Sequence, residues 1–308
     1  MEIAKLINSL PGAVSQGAIW GLMAIGVYIT YKVLDLADLT VDGSIATGGA
    51  VCVMLMIGGT NVWVALLCSF LAGMIAGLFT GIFHTFMGIP AILAGILTQL
   101  SLYSVNLRLM GGKANTAINV AQFDLVVSQR YARATDLTNP IIPLALFTLV
   151  IILILYWFFG TEIGCSLRAT GANTHMARAQ GINTSLNKVL GLMISNGIVA
   201  LSGGLLAQYQ GFAEVKMGQG AIVIGLAAVI IGEVVFSRLF RNFALKLLSV
   251  SIGAILYYIV IQIVLWLGMP TNDLKMLQAL VVAVFLAVPY WKERYFTRAA
   301  AKGGKSNA

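Results

Sequence analysis

The chain is organised by long stretches without a charged residue. Gly12–Tyr31, Gly43–Leu107, Leu137–Thr161, Val189–Ala213 and Leu247–Asn272 contain no Asp, Glu, Lys or Arg. A helix that crosses a hydrocarbon layer roughly 30 Å thick needs about 20 apolar residues. Only helices and closed barrels satisfy the backbone inside such a layer. Each of the shorter runs has room for one span, and Gly43–Leu107 has room for three. The pattern predicts eight or nine spans, with working boundaries 12–31, 44–59, 62–84, 89–106, 140–159, 188–209, 218–236, 247–267 and 276–291. Two of these are irregular. Met217–Gly232 is only about 24 Å long as a helix and carries Gly218, Gly220 and Gly225, so a broken or partly re-entrant segment is expected there. Ile89–Asn106 opens at a proline turn, Pro90, and becomes polar toward its end. The predicted class is all-α: one polytopic domain over residues 1–308, with one or more broken segments. The first apolar run is too long for the core of a signal peptide and reads as a retained span.

Basic residues give the predicted orientation. If the 161–188 loop and the basic tail at 292–308 face the cytoplasm, Arg168, Arg178, Lys188, Arg238, Arg241, Lys246 and the tail cations all lie inside. In the second half only Lys216 and Lys275 then lie outside. This follows the positive-inside bias. The first half is less asymmetric, because Arg108, Lys113, Arg130 and Arg133 fall in an outer segment. Nine spans place the C-terminus in the cytoplasm.

Composition adds little to this picture. The hydrophobic fraction is 59% and the charged fraction 10%, against roughly 25% charged in soluble domains. The net charge of +8 sits in loops and the tail, as orientation requires, so no nucleic-acid partner is expected. Cys52, Cys68 and Cys165 show no metal-site spacing. His84 and His175 have no nearby carboxylate in sequence, so no metal site is expected. The glycines of "GMIAGLFTG" (Gly73, Gly77 and Gly81) line one helix face and read as a packing stripe.

Carboxylates cluster at one place. "LADLTVDGS", with the preceding residue, carries Asp35, Asp38 and Asp42, three of 11 acidic residues in 308. It reads as a helix junction: Asp42 or Ser44 caps the second span, Gly43 makes the turn, and Asp35 and Asp38 sit at the cytoplasmic edge near Lys32.

The loop "GCSLRATGANTHMARAQGINTSLNK", Gly164–Lys188, lies between two long apolar runs. Short helices over Ala169–Ala179, broken at Gly171 and Gly181, are predicted. "GANTHMARAQGIN" resembles the cytoplasmic coupling loop of ABC-importer permeases of the branched-chain amino acid and ribose type. The family's recurrent positions match Gly171, Asn173, Ala177, Gly181, Ile182 and Asn183. "DLTVDGS" is similar to that family's Asp-Leu-Ser-Val-Gly-Ser stretch with Asp42 inserted. "LADLTVDGSIATGGAV" is closer to a subgroup whose binding proteins are linked with aromatic amino acids. "MGQGAIVIGLAAVIIGE" resembles the family's Gly-rich segment, with Glu233 where the family often has a second Gly. The likeness runs in order from about residue 12 to 290. It implies a permease in a bacterial cytoplasmic membrane that pairs with a second copy of itself or a homologous permease. It also implies two ATPase subunits, which bind ATP and Mg, and an extracytoplasmic substrate-binding protein. The loop helices then dock in grooves of the ATPases, with Ala177 as a close-packed face and Arg168 and Arg178 pairing with acids. The related stretches also imply a second reading of the carboxylates, in which Asp38 and Asp42 break a helix at depth.

No catalytic group is apparent. "KGGKS" near the C-terminus lacks the first glycine and the strand–loop–helix context of a Walker A loop, and no nucleophile–base pattern occurs. No cofactor is expected on this chain. An ion-coupled secondary transporter is the alternative, but such carriers often keep a mid-membrane carboxylate, and the predicted spans are nearly free of charge. Candidate pathway residues are therefore neutral and polar. Gln99, Tyr103 and Asn106 share one face of the fourth span. Ser195, Asn196 and Ser202 lie in the sixth, and Tyr258 and Gln262 in the eighth.

Overall fold

The computed structural model describes residues 3–120, 122–123, 125–131, 139–236, 242–268 and 273–291. The basic tail at 292–308, Arg133, Arg238 and Arg241 lie outside them. Eleven α-helices follow in order: α1 (Ile3–Tyr28), α2 (Thr40–Ile57), α3 (Val62–Thr85), α4 (Ala91–Leu109), α5 (Ile141–Gly160), α6 (Glu162–Ala172), α7 (Thr174–Ala179), α8 (Thr184–Gln210), α9 (Ala221–Phe236), α10 (Phe243–Trp266) and α11 (Leu274–Trp291). Among the described residues, seven helical segments are long and apolar enough to cross a membrane, and α9 and α11 supply shorter apolar helices. The all-α class and the approximate number of spans agree with the sequence pattern.

Helix α8 is the central post. It packs along α3, α2 and α1, and most of its length is buried. The contact with α3 depends on the glycine stripe: a Cβ at Gly73 would collide with the carbonyl of Asn196, and one at Gly77 with that of Leu192. Without side chains there, the two backbones approach closely enough for dispersion contacts to accumulate, which is how apolar helices associate in lipid. Serine hydroxyls fasten α8 to α1. Ser195 donates to the carbonyl of Gly26 at 2.7 Å and Ser202 to that of Ile19 at 2.7 Å. Helices α5, α3 and α4 turn broad apolar faces outward, with Trp157, Leu67 and Leu100 among the exposed side chains.

Two helices begin inside the bundle. Helix α1 ends in a π-turn, Ile29–Val33. The chain then runs through Asp35, whose φ of +54° is left-handed, into α2. Asp38 is 2% exposed. Its Oδ1 accepts from the amide of Thr40 at 2.9 Å, and its Oδ2 accepts from Nδ2 of Asn196 at 2.7 Å. Asn196 lies midway along α8, about 18 Å from that helix's start, so the α2 start is held at depth. The second internal start is that of α9. After α8 and an antiparallel pairing of β1 (Asn115–Ala117) with β2 (Phe212–Glu214), the chain folds back through a turn to Asp42. There the Asp42 carboxylate accepts the amides of Gly220 at 2.9 Å and Ile222 at 3.0 Å.

This geometry corrects several expectations. Helix α2 starts at Thr40 rather than residue 44, so Asp42 lies in its first turn. Asp38, not Asp42 or Ser44, receives an amide of the α2 start, and Asp42 instead caps α9. Ser44 donates to Oδ1 of Asn196 at 2.6 Å. Gly43 is helical, with Gln99 and Leu102 of α4 packed against it, and makes no turn. Asp38 is not at the surface, and Lys32 pairs with Glu233 at 2.9 Å. The spans are not free of charge, because two carboxylates lie within the bundle.

A buried helix start leaves amide N–H groups that lipid cannot satisfy. Asp42→Ala is therefore expected to destabilise the fold by about 2–4 kcal/mol, the order of two unpaired buried donors. Asp42→Asn, which keeps an acceptor, is expected to cost less. Thermal unfolding in detergent checks this: equal midpoints for wild type and Asp42→Ala would show that these amides find other partners.

Candidate functional site

Two helices and a turn line a cavity of about 170 Å³. Helix α4 supplies Gln99, Tyr103 and Asn106, spaced so that all three fall on the side nearest α2. Helix α2 supplies Asp42 and Gly43, and the turn before α9 supplies Lys216 and Gln219. The α9 start fixes this arrangement, because the Asp42 carboxylate ties the turn to α2. The predicted Gln99 face is thus brought together with residues more than 100 positions later in the chain.

The polar groups of the cavity differ in their partners. Asp42 is engaged by two backbone amides. Asn106 is 1% exposed, and both its Oδ1 and Nδ2 lack a partner among the described residues. Lys216 and Gln219 are exposed, Tyr103 is 45% exposed, and Gln99 is half-buried. Ser195 and Asn196 do not reach the cavity. Both are fully buried and used up in fastening α8 to α1 and to the α2 junction, which corrects their reading as pathway residues. Ser202 is likewise held by Ile19, and Tyr258 is buried against Trp20. Gln262 lines a different cavity with Arg130 and Tyr209. Lys216 and Gln219 were not identifiable as site residues in the sequence, since a turn lysine there reads only as an outer-loop charge.

The second site is the loop from Thr161 to Asn183. Thr161 caps α6, its Oγ1 accepting from the amide of Gly164 at 3.3 Å. Asn173 breaks the chain into α7, its side chain accepting from the amide of Met176 at 3.0 Å. Gly181, with φ of +80°, ends the unit, and Asn183 caps α8 through the amide of Leu186 at 3.1 Å. The motif's asparagines and closing glycine are thus caps and a stop, residue types suited to those positions. The loop breaks at Asn173, not at Gly171, which lies within α6. A Cβ at Gly171 would collide with the carbonyl of Val33, so this glycine lets the loop pack under the α1–α2 junction. Ala177 faces inward at 3% exposure and offers no outer face. Ile182 is half-buried, and its amide returns to the carbonyl of Ala177 at 3.1 Å. Arg178 donates from Nε to Thr184 at 2.8 Å, and Arg168 lies over the ring of Phe243 at 5.8 Å. The outward face carries His175, Met176 and Ala179, with Met176 64% exposed. A large apolar side chain projecting from a polar loop is the signal that could have singled out Met176.

Beside the loop lies a cavity of about 510 Å³ bounded by Lys32, Asp35, Arg168, Gly171 and Lys246. The α1–α2 junction, the loop and the start of α10 therefore meet at one end of the bundle. The β1–β2 pair and the turn carrying Lys216 lie toward the other end of α8.

A profile described as the permease component of branched-chain amino acid transport systems matches residues 10–289. The tyrosine transport system permease protein of Clostridioides difficile (strain R20291) is 38% identical over 281 residues, covering 91% of each chain. The autoinducer 2 import system permease protein LsrC of Yersinia pestis (strain Pestoides F) is 32% identical over 201 residues, 64% of this chain and 54% of that one. The solved structure described as PsaBC from Streptococcus pneumoniae in complex with Fab aligns with a TM-score of 0.55 over 97% of this chain and 100% of the other, at 17% identity, a likeness of fold. With the apolar helices described above, these matches make the chain a multi-pass membrane protein belonging to the family of branched-chain amino acid transport system permease components.

Proposed function

We propose that this chain is the translocating subunit of an ATP-binding cassette importer for a small solute, an amino acid with aromatic side chains preferred, in a bacterial cytoplasmic membrane. The observation that carries this reading is the 38% identity, over 91% of both chains, to a tyrosine transport permease. Two copies assemble with two separate ATPase chains on the cytoplasmic side, and a binding protein delivers solute from the other face. The loop end is cytoplasmic and the Lys216 end is external, as the distribution of basic residues suggests. ATP and Mg belong to the ATPases, and this chain contributes the path and the lever.

The lever follows from the loop geometry. Helices α6 and α7 are rigidly capped, and Gly171 packs against Val33 just before the α2 junction. A push on the outer face of α7 thus reaches the α1–α2 connection through direct backbone contact. That connection in turn bears on the α2 start that holds Asp42 and the turn before α9. The path uses the Gln99 face of α4.

The buried carboxylates give the ion-coupled alternative one specific observation in its favour. Asp38 and Asp42 lie in the bundle, where a secondary transporter would keep a coupling group. Their oxygens, however, are committed to backbone amides and Asn196, so their role as caps is sufficient to account for them.

The reading is tested in proteoliposomes holding permease, ATPase and binding protein. L-tyrosine uptake is expected to require ATP and to persist when ionophores collapse ion gradients; uptake that follows the gradient and ignores ATP would establish the carrier reading instead. Met176→Glu is expected to reduce ATPase co-purification at least fivefold while the permease still folds, because a charge replaces the exposed apolar contact. Large residues at Gly171 or Ala177 would disrupt the chain's own packing and so do not isolate docking. Gln99→Leu is expected to lower uptake severalfold with assembly intact, and unchanged uptake would remove this face from the path.

A further inference from the structure

Asn106 is the anomaly of the cavity. A buried primary amide offers two donors and an acceptor, and an unpaired buried polar group normally costs too much to be kept without a use. Yet neither polar atom of Asn106 has a partner among the described residues, and Asn106 lines the same cavity as Lys216. No carboxylate pairs with Lys216 among the described residues. The nearest carboxylate in the cavity, Asp42, is already held by the amides of Gly220 and Ile222. The cavity therefore presents a lysine outside any ion pair, one unpaired buried amide, the uncommitted amide of Gln99 and phenol of Tyr103, and the amide-held carboxylate of Asp42, whose negative charge favours the ammonium end of a zwitterion.

We propose that Lys216 and Asn106 form a clamp for the α-carboxylate of a zwitterionic amino acid in transit, an inference that rests on the importer reading above. A carboxylate between the lysine ammonium and the Asn106 Nδ2–H would receive charge-assisted hydrogen bonds, the stronger kind. The ammonium of the same solute, with three donors, matches the acceptor oxygens of Asn106 and Gln99, and the Tyr103 ring can take a cation on its face. A neutral polyol would leave the lysine charge unused. A clamp made of one buried and one exposed group suits a path better than a store, because the exposed arm can release.

The test uses the complete transporter in proteoliposomes, with L-tyrosine as the probe and the loaded binding protein titrated outside. Lys216→Gln and Asn106→Leu are each expected to lower maximal uptake about tenfold, the order lost with one hydrogen bond to a charged group. The half-saturating concentration of loaded binding protein is expected to stay unchanged, and Lys216→Arg to keep most of the uptake. Lys275→Gln, on an exposed residue of α11, is the control and is expected to match wild type. Lys216 is exposed, so its substitution tests the clamp even if Asn106→Leu fails to fold. Unchanged maximal uptake in Lys216→Gln overturns the clamp. So does a raised half-saturating concentration with full maximal uptake, which would place Lys216 in the docking face for the binding protein. Absence of ATP-dependent uptake of both L-tyrosine and L-leucine by wild type overturns the amino-acid reading itself and the clamp with it.

Discussion

The structure depends on two helix starts that open inside an apolar bundle. A helix N-terminus exposes amide donors and half a positive charge, and neither is tolerated in hydrocarbon without a partner. Here each start is assigned an aspartate. Asp38 accepts from Thr40 at the start of α2, and Asp42, one turn on, accepts from Gly220 and Ile222 at the start of α9. The two are linked, since Asp42 can reach α9 only because Asp38, held by Asn196 of α8, has placed the α2 start at that depth. Asn196 in turn accepts from Ser44, so Asp38, Asn196 and Ser44 form one hydrogen-bonded chain, and all four oxygens of the two carboxylates are used.

The same constraint makes the cavity. A helix of 16 residues that begins at Asp42 leaves the preceding turn free to fold inward, and that turn carries Lys216 and Gln219 to the Gln99 face. Polar groups are thus admitted to the interior without a charged residue on the cavity face of α4, since Arg108 in its last turn does not line the cavity.

Much of the fold could be read from uncharged runs, because lipid imposes one requirement on every span and the requirement is visible as composition. The short α9 was recognisable for the same reason, from a run too brief to cross and rich in glycine. The junction was harder. "LADLTVDGS" carries the residues of a cap, but which amides they satisfy depends on Gly220 and Ile222, almost 180 residues away, and no local pattern encodes that pairing. The Gln99 face was legible as helical spacing, whereas Ser195 and Asn196, equally polar and equally central in their span, turned out to hold helices together. Sequence spacing cannot separate a serine that faces a path from one that donates to a neighbouring carbonyl. In the loop, Asn173 and Asn183 match recurrent positions of the family motif and are caps, while the exposed apolar Met176 lies between those positions and is marked by none of them.

The proposed coupling between the two ends of the bundle has a physical form. Gly171 touches the carbonyl of Val33, and Val33 closes the π-turn. A π-turn has a wider, less favourable hydrogen-bond pattern than the α-helix it interrupts, so this segment is where α1 can change pitch at least cost. Asp35, with its left-handed backbone, follows directly and absorbs a change in direction before the rigid, capped α2 begins. Movement of the loop therefore has a compliant element to act on and a stiff one to transmit it, and the stiff element carries Asp42. Any tilt of α2 moves the α9 start and the Lys216 turn with it, because the two hydrogen bonds accepted by the Asp42 carboxylate join them. The width of the cavity is set by how these elements sit against α4, which among the described residues packs chiefly against α2 and α3.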